Sequence, residues 1–98
     1  MIAFEYGGEK LELVTRLYNH GHGVCLLIQS VDGAPYAKLS SNPDGLIELA
    51  ADEHLIKTYA ENTGIAACVL GLGIFKDTGR RVKNGYVELQ IWKEIKCL

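Results

Sequence analysis

The chain has 98 residues, of which 48% are hydrophobic and 22% charged, and its formal net charge is −2. This composition excludes a disordered chain, and the length predicts a single domain over residues 1–98 with one modest core. No apolar run approaches the roughly 18 residues of a membrane-spanning helix, and the N-terminus does not show the pattern of a signal peptide. We therefore expect a cytoplasmic protein without a membrane span.

Charge is distributed unevenly along the chain. Residues 1–75 contain 4 Lys/Arg and 9 Asp/Glu, whereas residues 76–98 contain 6 Lys/Arg and 3 Asp/Glu. Nucleic-acid-binding domains are usually basic overall, so direct nucleic-acid binding is not expected. The basic last quarter leaves open a local cationic site for an anionic ligand or partner.

Cysteine and histidine spacing indicates neither disulfides nor a metal. The three cysteines, Cys25, Cys68 and Cys97, are too widely spaced for a disulfide framework or a paired metal motif. Cys25 and Cys68 lie in apolar runs and are expected in the core. His20 and His22 could share a metal, but no third ligand is nearby. We expect no metal and no cofactor.

The first half of the chain alternates strand-like runs with turn residues. One hairpin is predicted around Gly7 and Gly8, and a second around Asp32 and Gly33. Pro35 cannot donate a ladder hydrogen bond, which predicts an edge strand. The four predicted strands are residues 2–6, 10–18, 24–31 and 34–40.

The second half contains the one predicted helix. Asn62 is a favoured N-cap residue, and Ile65, Val69 and Leu72 follow at helical spacing until two glycines end the pattern. Residues 46–51 fit either a short strand or an irregular cover. Further strands are predicted at residues 54–58, at residues 74–82 with a break at Thr78-Gly79, and at residues 86–95. The last two are joined by a turn at Asn84 and Gly85.

Together these elements predict an α+β fold. It consists of a single antiparallel sheet of about five to seven strands built from hairpins, with one short helix packed on one face. One helix cannot cover the whole sheet, so the other face is expected to be polar or to form an oligomer or partner interface. No catalytic motif is present, and Asp52 with Glu53 is expected in a solvated loop. We therefore expect a protein that is not an enzyme.

The segment from Asp77 to Tyr86 is the strongest candidate for a binding site. A guanidinium of Arg80 or Arg81 matches phosphate or carboxylate with two donors, and a glycine at position 79 lets backbone N–H groups approach an anion. Aromatic rings nearby could stack on a base. The candidate ligand-binding residues are Thr78, Gly79, Arg80, Arg81, Tyr86, Trp92, Tyr59 and Asn62.

A simpler interpretation of the same segment remains open. Arg80 and Arg81 could pair across strands with Glu88 or Asp77 in a solvated hairpin. Strand alternation would send the two arginines to opposite faces. In the same way, Asn62 could serve only as a helix cap.

Several segments, in this order along nearly the whole chain, resemble a family of small proteins of unknown function carried by bacteriophages, plasmids and integrative elements. The most specific runs from Asp77 to Val82 and continues with Gly85 and Tyr86. The similar segments are Tyr6-Gly7, residues 33–43, residues 56–62 and residues 77–86.

The resemblance implies a counter-defence protein that works by binding in the cytoplasm of a bacterial host. One possibility is a sponge that sequesters an anionic nucleotide immune signal without turnover, in a pocket at a homo-oligomer interface. A structural or regulatory subunit is a third interpretation, and the main alternative is a protein-binding inhibitor of a defence effector such as a CRISPR nuclease. In that case an acidic surface would mimic nucleic acid, and its residues would be Glu9, Glu12, Glu48 and Asp52.

Overall fold

The computed structural model describes residues 2–17, 24–42 and 47–96. Within these ranges it contains one α-helix, α1, which spans Thr63–Leu70 and follows a turn of 3-10 helix at Ala60–Asn62. The same ranges contain seven strands: β1 (Ile2–Tyr6), β2 (Glu9–Leu17), β3 (Val24–Ser30), β4 (Pro35–Lys38), β5 (Glu53–Lys57), β6 (Phe75–Asn84) and β7 (Val87–Glu94).

The strands form two antiparallel sheets. One sheet has four strands in the order β1-β2-β3-β4, and the other has three in the order β5-β7-β6. The prediction of an α+β fold with one short helix is confirmed, and the prediction of a single sheet is wrong. Period-two alternation identifies strands and hairpins, but it does not indicate where one sheet ends and the next begins.

The chain passes from the first sheet to the second at residues 39–41. The N–H of Leu39 donates to the carbonyl of Leu26 in β3 at 2.9 Å, whereas the N–H of Ser41 donates to the carbonyl of Leu55 in β5 at 2.8 Å. Ser40, between them, is buried, and its hydroxyl accepts the N–H of Leu26 at 2.8 Å. This corner folds the two sheets around one core.

The turn between β6 and β7 differs by one residue from the sequence prediction. Asn84 pairs with Val87, so the two loop residues are Gly85 and Tyr86. Gly85 has φ +66°, and Tyr86 is not in the positive-φ region. This is the pattern of a type II′ turn, which favours glycine at its first loop position. The side chain of Tyr86 therefore lies at the tip of the hairpin and not in the strand.

The main core fills the space between the two sheets and α1. Leu13 and Ile28 face each other across β2 and β3 and point into this space. Helix α1 contributes Ile65 and Val69, and β7 contributes Trp92, which is 1% exposed. Burial of a large apolar side chain stabilises the fold by about 1.5–3 kcal/mol. The aromatic ring of Trp92 is thus part of the core.

A second, smaller cluster covers the opposite face of the three-stranded sheet. Leu55, Leu89 and Ile91 are buried there, and residues that include Ile47 and Leu49 pack over them. Residues 47–50 have no regular secondary structure, so the described part of the 46–51 segment is the irregular cover. Both faces of this sheet are consequently apolar, which is why simple alternation describes its strands poorly.

Helix α1 begins at the predicted position without the predicted cap bond. Asn62 precedes the helix, but its side chain makes no hydrogen bond to a helix N–H. Its amide donates instead to the carbonyl of Lys38 at 2.9 Å, and the residue is 4% exposed. Asn62 therefore holds the start of the helix against the end of β4. The helix ends at Leu70, and Gly71 follows it.

Candidate functional site

The basic segment forms a bulge in β6. Asp77 pairs with Trp92 and Arg81 pairs with Gln90, so three residues, 78–80, stand opposite Ile91 alone. Such a bulge bends the strand and leaves the extra residues outside the ladder.

The Thr78 hydroxyl closes the bulge. It donates to the carbonyl of Ile91 at 2.7 Å and accepts the N–H of Arg80 at 3.2 Å. Gly79 at the centre has φ +84°, a backbone conformation that glycine adopts without the strain of a Cβ atom. The donors that could have bound an anion here are therefore used within the bulge.

Asp77 holds the side chain of Arg81. Its Oδ1 accepts Nη1 of Arg81 at 2.8 Å and its Oδ2 accepts Nη2 at 2.9 Å, a bidentate pair. Oδ1 also accepts the N–H of Gly79 at 2.9 Å. The hydrogen bond from Arg81 is the main cause that lowers the pKa of Asp77 below its ordinary value, and the N–H of Gly79 adds to it, while burial opposes both. Asp77 is thus held in its charged form.

Arg80 is paired with a residue that the sequence patterns do not connect to it. Its Nη2 lies 2.8 Å from Oε2 of Glu53, which begins β5 and does not lie in a solvated loop. The other oxygen of Glu53 accepts the N–H of Ala50 at 3.0 Å. Arg81 has a second, looser contact of 3.9 Å with Glu88. Both arginines therefore have carboxylate partners, and for Arg81 these are the two acids of the simpler interpretation.

The two candidate stacking rings differ in exposure. Tyr86 is fully exposed at the tip of the hairpin. Trp92 is buried, its ring centroid lies 5.7 Å from that of Phe75, and its Nε1 donates to Oε1 of Gln90 at 3.0 Å. A base bound at the surface of the bulge would find Tyr86 available and Trp92 covered.

The eight candidate residues are not gathered in one pocket. Four of them, 78–81, form the bulge, and Tyr86 lies beyond it at the end of the same hairpin. Tyr59 packs against the second cluster, while Trp92 lies in the main core. Asn62 bonds to Lys38 as described above. That these residues bind a ligand stays a prediction.

The acidic residues considered for nucleic-acid mimicry are also divided. Glu9 and Glu12 lie on β2 in the four-stranded sheet. Glu48 lies in the segment that covers the three-stranded sheet, and Asp52 contacts Lys93 at 3.7 Å. A single continuous acidic surface does not follow from this placement.

A partly buried pair of polar side chains was not anticipated from the sequence. Nε2 of His54 lies 2.6 Å from Oε1 of Glu94, and His54 is 4% exposed. The ring of His54 meets that of Phe75 edge to face at 5.8 Å. The available signal was the alternation in β5, which places His54 on the same face as the core residue Ile56. The pair ties β5 to β7 and serves the fold.

Two classes of site receive no support from the described residues. No group of three or more His, Cys, Asp or Glu in ranges 2–17, 24–42 and 47–96 is arranged to hold a metal. The pair His20 and His22 lies outside those ranges. No helix in the described part of the chain is long and apolar enough to cross a bilayer.

An open depression of about 270 Å³ lies between β3 and β4. It contains none of the candidate residues. Leu27, Gln29, Pro35, Tyr36 and Lys38 contribute to its walls. Tyr36 is 42% exposed there and offers a useful comparison with Tyr86.

No protein-family model, no curated protein and no solved structure matches the chain.

Proposed function

We propose that this protein is a counter-defence protein that acts by binding a host protein through the β6–β7 hairpin, residues 75–94. The observation that carries the proposal is the exposure of Tyr86, whose relative accessibility is 109% at the hairpin tip. Tyrosine and arginine are enriched among the residues that dominate binding energy at protein interfaces. Tyr86 at the tip and the cations Arg80, Arg81 and Lys83 along β6 place both kinds of residue on one hairpin.

The ion pairs support a protein partner over a nucleotide. To bind a phosphate through Arg81, the chain would have to break the bidentate pair with Asp77. The hydrogen bonds gained to the phosphate would then be offset by the two hydrogen bonds lost to the carboxylate. Arg80 would likewise have to leave Glu53. A protein partner can instead contact the exposed parts of these side chains without breaking either pair, since half of the Arg80 side chain is exposed.

The same pairs lower the cost of binding. Immobilising a long flexible side chain at an interface costs about 0.5–1.5 kcal/mol in conformational entropy. Arg80 and Arg81 are already held by Glu53 and Asp77 at 2.8 Å. Much of that cost is therefore met on folding, and the hairpin presents a preformed surface.

The proposal is tested by inhibition of host defence in cells. The chain is expressed in strains that each carry one defence system, and phage plaque formation is counted with and without it. For a system that the chain inhibits, Tyr86→Ala and the double variant Tyr86→Ala, Lys83→Ala are compared with Tyr36→Ala. Tyr36 is the matched control because it is another exposed tyrosine, on a different sheet.

We expect both Tyr86 variants to lose most of the inhibition and Tyr36→Ala to keep it. Equal activity of all three variants would overturn the proposal. Native mass spectrometry with a panel of cyclic and ADP-ribose-type nucleotides distinguishes a protein-binding inhibitor from a nucleotide sponge. A nucleotide retained intact by the wild type and lost by Arg81→Ala would support sequestration and contradict a protein target.

A further inference from the structure

We infer that the free edge of β6 binds an extended acidic peptide segment, which adds to the three-stranded sheet as a further strand. This inference rests on the proposed function and specifies the chemistry of the partner. Its starting point is the strand order β5-β7-β6, in which β6 is the last strand. Within the described residues, β7 is the only strand paired with β6.

The register shows which backbone groups face outward. In a hairpin with a two-residue loop, the residues that flank the loop form a hydrogen-bonded pair, and the pairs then alternate. Asn84 with Val87 is the flanking pair, so Lys83 and Arg81 belong to the non-hydrogen-bonded positions. Their N–H and C=O groups point away from β7. No backbone hydrogen bond from these two residues to another described element is present.

Side-chain charge indicates the partner for this edge. Arg81 and Lys83 are two residues apart and therefore lie on the same face of β6, with Val82 on the other face. Strand β6 as a whole carries four cations and one acid. Lys83 stands opposite Glu88 in the ladder but makes no ion pair with any residue in the described ranges, so its charge is available to a partner. Arg81 keeps its pair with Asp77 and offers a partner only the exposed part of its side chain. An added strand with acidic residues at every second position would place them on the face of Lys83 and Arg81, where Lys83 makes the main ion pair.

A second copy of the chain fits this edge poorly. Antiparallel pairing of two β6 edges through the outward groups must set Arg81 or Lys83 of one copy opposite Arg81 or Lys83 of the other. Like charges directly opposite each other destabilise a strand pair. The edge therefore disfavours such self-association and favours an acidic partner.

The backbone groups distinguish a peptide from a nucleic acid. A phosphate group can accept from the N–H of Arg81 or Lys83, but it has no donor for the carbonyls beside them. A peptide strand offers both a donor and an acceptor at each matched residue. An extended peptide satisfies the edge completely.

The bulge limits the length of the added strand. Residues 78–80 leave the ladder, so the regular edge available beyond the bulge is Arg81 to Asn84. About four to five residues of peptide match this stretch at roughly 3.3 Å per residue. A short segment with the pattern Val-Glu-Val-Glu-Val would put both acids on the face of Arg81 and Lys83.

The test uses nuclear magnetic resonance of the isotopically labelled full chain. The probe is the peptide Gly-Ser-Val-Glu-Val-Glu-Val-Ser-Gly, titrated to millimolar concentration because a strand of this length binds weakly. The control peptide has the same composition in the order Val-Glu-Glu-Val-Val between the same flanks, which places the two acids on opposite faces. We expect saturable shifts of the Arg81 and Lys83 amides with the alternating peptide, and slower hydrogen exchange at both.

A charge-neutralising variant sharpens the test. Residue 83 is exposed and stands opposite Glu88 in the β6–β7 ladder, so Lys83→Gln removes the cation without setting two like charges opposite each other. We expect this variant to bind the alternating peptide about two- to tenfold more weakly than the wild type does. Replacement of both peptide acids by glutamine should remove the difference between the variant and the wild type. Equal responses to the two peptide orders, no saturable shift at the two amides, or stronger binding of a single-stranded oligonucleotide at the same residues would each overturn the inference.

The result is separable from the proposed function. Loss of defence inhibition in Tyr86→Ala together with no peptide binding would leave hairpin-mediated recognition standing and remove strand addition. Peptide binding at Arg81 and Lys83 with unchanged inhibition in Tyr86→Ala would support the acidic-peptide edge and overturn the proposed function.

Discussion

Replacement of Asp77 by alanine tests the ion-pair geometry of the bulge. The change removes three hydrogen bonds, two from Arg81 and one from the N–H of Gly79. Hydrogen bonds to charged groups contribute about 1.5–3 kcal/mol when buried, whereas exposed pairs contribute about 0.2–1 kcal/mol. The side chains of Asp77 and Arg81 are 29% and 33% exposed, which places this network between the two limits.

We therefore expect Asp77→Ala to lower the free energy of unfolding by about 1–2 kcal/mol. For a domain of this size, each kcal/mol lowers the melting temperature by about 4–8 °C. The matched control is Asp52→Ala. Asp52 is 46% exposed and lies 3.7 Å from Lys93, so its removal should change stability by less than about 0.5 kcal/mol.

The effect also has a defined pH dependence. The pKa of Asp77 is lowered in the folded state, so at acid pH the unfolded chain binds the proton more readily than the folded chain. The stabilisation is complete above the unfolded pKa of about 3.9 and is lost as the pH falls through the folded-state pKa. The melting temperatures of wild type and Asp77→Ala should differ constantly between pH 5 and about 8 and converge below about pH 4.

Thermal unfolding followed by circular dichroism measures both effects, and a double-mutant cycle with Arg81→Ala isolates the pair. An Asp77→Ala curve that coincides with that of Asp52→Ala, or a difference that grows on acidification, would refute the pairing of Arg81 with Asp77. A coupling energy of zero in the cycle would do the same.

Three further expectations concern the core and the bulge. Trp92→Ala should lower the free energy of unfolding by about 3–5 kcal/mol and abolish cooperative unfolding near room temperature. Trp92→Phe should remain folded and keep its inhibition of host defence. Loss of inhibition in a stably folded Trp92→Phe variant would return Trp92 to the binding surface. His54→Leu should lower the free energy of unfolding by about 1 kcal/mol, because the partly exposed Glu94 loses its partner, and chemical denaturation measures the change. A neutral result would contradict the pairing of His54 with Glu94. Gly79→Ala should destabilise by about 1–2 kcal/mol at φ +84°, and a stabilised variant would show that the bulge has another backbone conformation.

The hairpins could be predicted because their turns are local. Glycine pairs and Asp32-Gly33 set the turns by their own backbone preferences, whatever the rest of the chain does. The division into two sheets depends on contacts between distant residues. Ser40 accepts from Leu26, and Asn62 donates to Lys38, 24 positions away in the chain. Neither bond leaves a signal in the local pattern.

In the candidate site, too, the local features could be predicted from the sequence and the contacts between distant residues could not. The sequence identified the basic segment, and the spacing of glycine and threonine agreed with an irregularity there. The partner of Arg80 is Glu53, which lies on another strand and was expected in a loop. Trp92 was expected among the ligand-binding residues and lies in the core, because alternation does not identify a strand that is buried on both faces. The ion pairs of the two arginines and the burial of Trp92 thus determine which of the candidate residues are available to a ligand.

Site-specific photo-crosslinking tests the central claim most directly. A benzophenone amino acid replaces Tyr86 in one variant and Tyr36 in another, and each is irradiated in cells whose defence system the chain inhibits. We expect a product of one discrete mass from position 86 that contains a component of that system, and none from position 36. Absence of a product at position 86, or the same product from both positions, would contradict recognition of a host protein through the tip of the β6–β7 hairpin.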